Sequence, residues 1–445
     1  MDDTLFDLPA SEAPDERPQG VGRPRLQRPD RDQVELRPTH LDALLPPEHR
    51  ARLVWDFVAG LDLSPLHARI RAVEGHAGRP PIDPAILLAL WLYATLEGVG
   101  SARALARLCE EHDAYRWLCG GVGVNHHTLA DFRVDHAAVL DGLLSASVAA
   151  LMAEGHVSLE RVAQDGVRVR ASAGAASFRR RDALTGLLAE AEARVRTLRA
   201  ELDDDPAATS RRVAAARERA ATERAARVRA ALAQLPALEA AKRRSGQPAE
   251  EARASTSDPE ARVMKMADGG FRPAFNAQLA TDTASQVIVG LDVGNAGSDR
   301  GQLGPMVRQL ERRYDRAPGA MLVDGGFLNL AEVGTLAADA PGMLLYAPVP
   351  APRDEARDPH APLPDDPPAV AAWRARMGTP EAKDIYRERA ATAECVNAQA
   401  RNRGLRQLPV RGVLKALAVL LWQALAHNLL RTVALRRAAA AGATG

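Results

Sequence analysis

RVAQDGVRVRASA, residues 161–173, is the stretch on which the fold turns. Its valine-rich alternation reads as a strand or hairpin, and it follows a long reach, from Leu41 to Glu154, that reads as helix throughout. Within that reach GRPPIDP (78–84) breaks the chain, and Ile86, Leu87, Leu90, Trp91, Tyr93 and Leu96 then recur at helical spacing. Ser101 caps a further helix that stops near Gly120 and Gly121. Thr128, with Asp131 three residues later, reads as the capping pair of another helix, running to about Val148. Helix, glycine turn, helix is the outline of a DNA-reading motif, and any helical bundle offers it too.

Downstream the pattern changes twice. Leu184, Leu188, Ala191, Val195, Leu198 and Leu202 form a heptad seam, Asp203 to Pro206 interrupt it, and a second helix carries Val228, Leu232 and Leu235. That is an antiparallel helical hairpin set into another fold, with a packing seam. From Phe271 the strand pattern resumes: FNAQLATD (275–282), a turn TAS, then QVIVGLDV (286–293), two runs close enough to pair. Ser298 or Asp299 is expected to cap a helix carrying Leu303, Met306, Val307 and Leu310. A short strand AMLVDGG (320–326), a helix, a strand MLLYAPV (343–349), an eight-proline linker at 348–368 and a last helical region from Glu381 to about Ala440 complete the chain. The expectation is an α/β fold: a disordered tail at 1–38, an all-helical N-terminal domain at 39–155 whose helix, glycine turn, helix outline suits DNA binding, and an α/β domain at 156–178 and 262–440, interrupted by the helical coiled-coil insertion at 179–261.

Composition narrows the class. The chain has 445 residues, 46% of them hydrophobic, enough for two or three domains with real cores. Three cysteines, Cys109, Cys119 and Cys395, are too few and too unevenly spaced for a disulfide framework or a four-ligand zinc site, and a reducing cytoplasm fits best. The N-terminus has neither the basic nor the apolar region of a secretory signal. The longest apolar run, Val413 to Leu430, contains Lys415, Gln423, His427 and Asn428, which argues against a membrane span. Basic and acidic side chains balance at 58 to 57, yet no acid follows Glu394 while Arg401, Arg403, Arg406, Arg411 and Lys415 do, so the C-terminal end is a basic block.

Three carboxylates stand out because each falls in a different element: Asp165 in the valine-rich strand, Asp324 at the end of a short apolar strand, Glu394 in a helix. Ligand sites in α/β sheets gather at strand ends. Carboxylates converging on one point repel each other unless cations sit between them, the demand of a two-magnesium site for phosphoryl transfer. Asp165-Gly166 and Asp324-Gly325-Gly326 are equally ordinary turn sequences, and Glu394 on its own reads as a solvated helix residue. Its neighbours favour more: Arg387 and Arg401 lie seven positions to either side on the same helix face, with small residues between, so a phosphate backbone can reach it.

Seven blocks in order carry a resemblance: residues 78–121 from GRPPIDP to WLCGG, HHTLADFR (126–133), VAQDGVRVRASA (162–173), MKMADGGFRPAFNAQLATDTASQVIVG (264–290), MLVDGGF (321–327), YRERAATAECVNAQARNRGL (386–405) and LAHNLL (425–430). With these the chain is similar to bacterial insertion-sequence transposases of the DDE type, whose catalytic domain is RNase H-like. The resemblance implies a metal-binding catalytic triad of Asp165, Asp324 and Glu394 using Mg2+ or Mn2+, and Tyr386, Arg389 and Arg401 as the tyrosine and basic positions around the glutamate that touch DNA. It further implies cleavage at the element's ends, joining to target DNA, and a homodimer on that DNA. Asn397 and Phe327 depart from the family, standing where other members carry an aromatic residue and a tyrosine. The alternative is a catalytically inactive transposase-derived DNA-binding protein.

The remaining candidates have bland readings. Asp292 is a strand-end turn residue that could substitute for either aspartate, and Asp299 is a helix cap. His126, His127 and His136 lack partners at zinc spacing. Asn276 and Gln278 share a strand face, and His427 and Asn428 satisfy each other or backbone groups inside the final helix.

Overall fold

Valine alternation at the quoted stretch emerges as β1 (Arg161–Arg170), the central strand of the sheet. The computed structural model describes residues 31–32, 40–73, 75, 80–204, 208–352, 354 and 356–442. The expected tail at 1–38 lies outside the described residues, Arg31 and Asp32 excepted.

Among the described residues seven α-helices precede β1: α1 (Arg50–Ala59), α2 (Ser64–His67), α3 (Pro84–Leu96), α4 (Ala102–Glu111), α5 (Asp113–Cys119), α6 (His126–Asp135) and α7 (Ala137–Ala153). Their starts follow from side chains that take orphan backbone N–H groups. Asp83 accepts from Ala85 N with Pro84 in the first turn, and Ser101 accepts from Ala104 N. Thr128 is not the cap it was expected to be. Asn125, in an extended conformation, accepts from both His127 N and Thr128 N, so α6 begins two residues earlier. Nor does one helix continue to Val148; α6 and α7 meet at a 64° bend at His136.

β1 is followed by the insertion. β2 (Phe178–Arg179) and β3 (Ala254–Ser255) pair antiparallel at its base, and between them run α8 (Arg181–Asp204) and α9 (Ala208–Arg244). Leu184, Ala191, Val195 and Leu198 of the seam are buried, as are Ala225, Val228, Ala231 and Leu235 of α9, so the seam closes on its own chain.

The sheet is then completed by β4 (Arg262–Lys265), β5 (Phe271–Asp282), β6 (Ile288–Gly294), β7 (Ala320–Leu322) and β8 (Leu344–Tyr346). β5 runs antiparallel to β1 along one edge, and β4 and β6 share its other edge. β7 is parallel to β1, and β8 to β7, the crossovers being α10 (Leu303–Tyr314) and α11 (Leu330–Asp339). The architecture is mixed α/β.

The final helical region is three helices, α12 (Pro368–Met377), α13 (Pro380–Asn402) and α14 (Val413–Gly442). The loop between the last two returns to β1, where Leu408 N donates to Arg170 O at 2.8 Å and a parallel bridge joins Arg170 to Gln407. By length and composition α14 could cross a bilayer, but 67% of its most apolar window is buried in the protein. His427 and Asn428 bond to backbone rather than to each other: His427 Nε2 lies 2.7 Å from Gln286 O, and the Asn428 amide accepts from Ile288 N and donates to Ile288 O. α1, α3 to α7, α14 and one face of β1, β5 and β6 share one continuous apolar core.

Candidate active site

Parallel register brings the two aspartates level. Arg161, Val162 and Ala163 of β1 stand beside Ala320, Met321 and Leu322 of β7, so Asp165 and Asp324, each two residues further on, leave the sheet side by side at its carboxyl edge. Asp324 opens a turn, its Oδ1 accepting from Gly326 N at 2.8 Å. Asp165 points toward α13, which packs on β1.

Helix α13 starts cleanly, with Thr379 as cap and Pro380 in the first turn. It presents Arg389 to both acids: Nη2 donates to Asp165 Oδ1 at 2.9 Å and to Asp324 Oδ2 at 3.3 Å. Asn397, two turns on, donates from Nδ2 to Asp165 Oδ2 at 2.7 Å. Both oxygens of Asp165 are therefore engaged. Burial pushes its carboxyl up from the usual range, the charge of Arg389 opposes that, and neighbouring Asp324 adds to it. Burial also raises the Tyr386 phenol, half-buried one turn before Arg389. A partly buried guanidinium bridging two like charges offsets their repulsion.

Glu394 is exposed, five residues and about 140° round the helix from Arg389. Arg401 lies on nearly the same face as Glu394 and is exposed as well. Among the described residues no three of His, Cys, Asp and Glu stand close enough together to hold a metal ion. Asp292 is exposed and accepts from the next amide, Val293 N. His126 and His127 lie ring against ring at 4.1 Å, and His136 meets Arg69.

Two features escaped the sequence. Asn397, noted there as a departure, is a ligand of Asp165. Asp299 does not cap α10, whose N-terminal Gln302 makes no side-chain cap. It is 5% exposed beneath β1, Oδ1 accepting from Asn276 (2.7 Å) and Gln278 (2.8 Å) and Oδ2 from Arg168 (2.8 Å). The available signal was Gly166 on β1 opposite Gln278 on β5, a missing side chain facing an amide.

Two family models match the chain: Transposase domain (DUF772) over residues 39–135, and Transposase DDE domain over residues 367–433. The first spans α1 to α6, and the second spans α13 with Tyr386, Arg389, Glu394, Asn397 and Arg401 but neither aspartate. No curated protein and no solved structure matches.

Proposed function

We propose that this chain, an insertion-sequence DDE transposase by its two family matches, hydrolyses phosphodiester bonds at the ends of its element and joins the freed 3′-hydroxyls to target DNA. The observation that carries the reading is the level pair Asp165 and Asp324, gripping one cationic nitrogen at the carboxyl ends of adjacent parallel strands. A strand order of β6-β5-β1-β7-β8, in which β5 alone runs antiparallel to β1 while β6, β7 and β8 run parallel to it, supports an RNase H-like catalytic domain interrupted by the helical insertion.

Two carboxylates that converge on a guanidinium are a donor set suited to a hard divalent ion, Mg2+ or Mn2+. Asp165 and Asp324 would hold it, with Glu394 as the third acid. Such ions supply a lowered pKa for the attacking water or hydroxyl and charge stabilisation at the departing oxygen. The chain's own groups orient the site: Asn397 fixes the second oxygen of Asp165, Arg389 balances the paired charges, and Tyr386, Arg389 and Arg401 contact DNA. Two ends cut together call for a homodimer on DNA, acting in a bacterial cytoplasm.

The test is incubation of the full chain with DNA bearing an element end, target DNA and Mg2+. Cleaved and joined products are expected, and Asp165→Asn or Asp324→Asn should lower cleavage by about 100-fold or more with DNA binding kept. Full cleavage by both variants overturns the assignment, and full cleavage by Glu394→Gln removes that residue from the triad. One observation favours the second reading, an inactive transposase-derived DNA-binding protein: Arg389 lies between the aspartates while Glu394 faces solvent. Binding without cleavage by the unaltered chain supports it.

A further inference from the structure

We propose that a groove at the carboxyl end of β1, lined by Arg168, Arg170, Arg272, Arg401 and Arg406, seats the sugar–phosphate backbone of the DNA entering the Asp165–Asp324 site. The proposal rests on the transposase reading and adds where on this chain the DNA lies.

The groove has a volume of about 340 Å3 and gathers five arginines against one acid, Asp268, which is already bonded to Arg272 at 2.7 Å. Arg170, Arg401 and Arg406 are exposed, and among the described residues none of them has an ion pair. The rest of the basic C-terminal block is largely committed elsewhere. Arg403 bonds Gln399, Arg411 bonds Ser172 O, Arg431 bonds Ser285 O, and Arg436 bonds Glu154. Sequence clustering of arginines therefore overstates the free charge at that end, while the fold brings Arg401 and Arg406 beside Arg168, Arg170 and Arg272.

Several constraints hold these like charges together. Arg170 N donates to Arg406 O at 3.4 Å, and Leu408 N donates to Arg170 O, so the loop before α14 cannot drift from the strand. Arg168 is braced by Asp299, and its Nε is buried without a hydrogen-bond partner in the structure. Clustered guanidiniums repel one another until an anion lies among them, and arginine forks match phosphate oxygens. Val167 and Leu405 give the groove an apolar wall that sugar faces can meet.

Position ties the groove to the site. Arg170 lies five residues along β1 from Asp165, about 17 Å at a strand's rise, which spans about five base-pair steps of duplex. Arg401 lies seven residues beyond Glu394 on α13, about 10 Å along the helix.

The experiment measures binding of the full chain to a fluorescent duplex of arbitrary sequence and about 30 base pairs, without divalent metal, across a salt series. Arg170→Ala/Arg406→Ala should weaken binding at every salt concentration and flatten the slope of log K against log salt by about 0.9 per arginine. Arg312→Ala, an exposed arginine on α10, should change neither. If the alanine pair lowers the melting temperature, Arg170→Gln/Arg406→Gln reads the same slope. Unchanged affinity and slope in a folded double variant, beside an unaltered chain that binds and cuts, overturns the groove alone. An unaltered chain that binds no duplex overturns the groove and the transposase reading together.

Discussion

At Gly166 a missing side chain lets a buried carboxylate lie against the strand that carries Asp165. A Cβ built there would sit 2.0 Å from Asp299 Oδ1 and 2.7 Å from Gln278 Nε2, neither of which ends a flexible exposed chain. Gly166→Ala should destabilise the protein by about 3 kcal/mol in urea unfolding, and combining it with Asp299→Ala should cost less than the two single losses added, because the clash needs both partners. His427 offers a pH test at the same scale. Burial pushes its imidazole down to about 4, since a charged ring has no solvation between α14 and the β5–β6 turn. A histidine with a depressed folded pKa binds fewer protons than its unfolded counterpart between about 4 and 6.5. Stability is therefore complete above the unfolded value and falls as pH drops through that window, by up to about 3 kcal/mol. Chemical denaturation at pH 7 and pH 4.5 should show this loss in the unaltered chain, and His427→Gln should flatten it.

Helix starts and strand patterns were legible because they are local. Ser101 reads as a cap and accepts its amide; Thr128 reads as one too but loses to Asn125, whose side chain reaches two orphan N–H groups from three residues upstream. The hairpin at 271–294 follows from alternation alone. What the helices do afterwards depends on distant partners. The Asn428 amide on α14 pairs with both backbone groups of Ile288, acting as a one-residue extension of the sheet on the outer side of β6. Asn428→Leu should cost about 2–4 kcal/mol, because it strands a buried donor and a buried acceptor at once, and calorimetry against Asn428→Gln measures it.

Across the whole molecule, the N-terminal helices and the sheet are not independent in their packing. Trp422 of α14 donates to Arg133 O and lies ring against ring with Trp91 and Phe132, so α14 fills the space between α3, α6 and the sheet. Residues 39–155 expressed alone would expose the apolar side of α3, which is buried along nearly its whole length. The fragment should bind a hydrophobic dye and lack a cooperative melt, whereas the full chain should lose its near-ultraviolet signal cooperatively. A cooperative melt in the isolated fragment would show that α14 adds nothing essential to that core.

Alternation, heptad spacing and capping chemistry settle which segments are strand or helix, because each depends on residues within a turn or two of one another. They also mark Asp165, Asp324 and Glu394 as carboxylates worth attention. Only the tertiary structure decides their company: the parallel register of β1 and β7 sets the aspartates level, and the angular position of Glu394 on α13 turns it away from Arg389. A helix cap and a buried network acid look identical in one dimension, so Asp299 reads as a cap, and a run of arginines does not reveal which of them the fold commits to carbonyls. Charge, unlike hydrophobic periodicity, acts through space rather than along the chain.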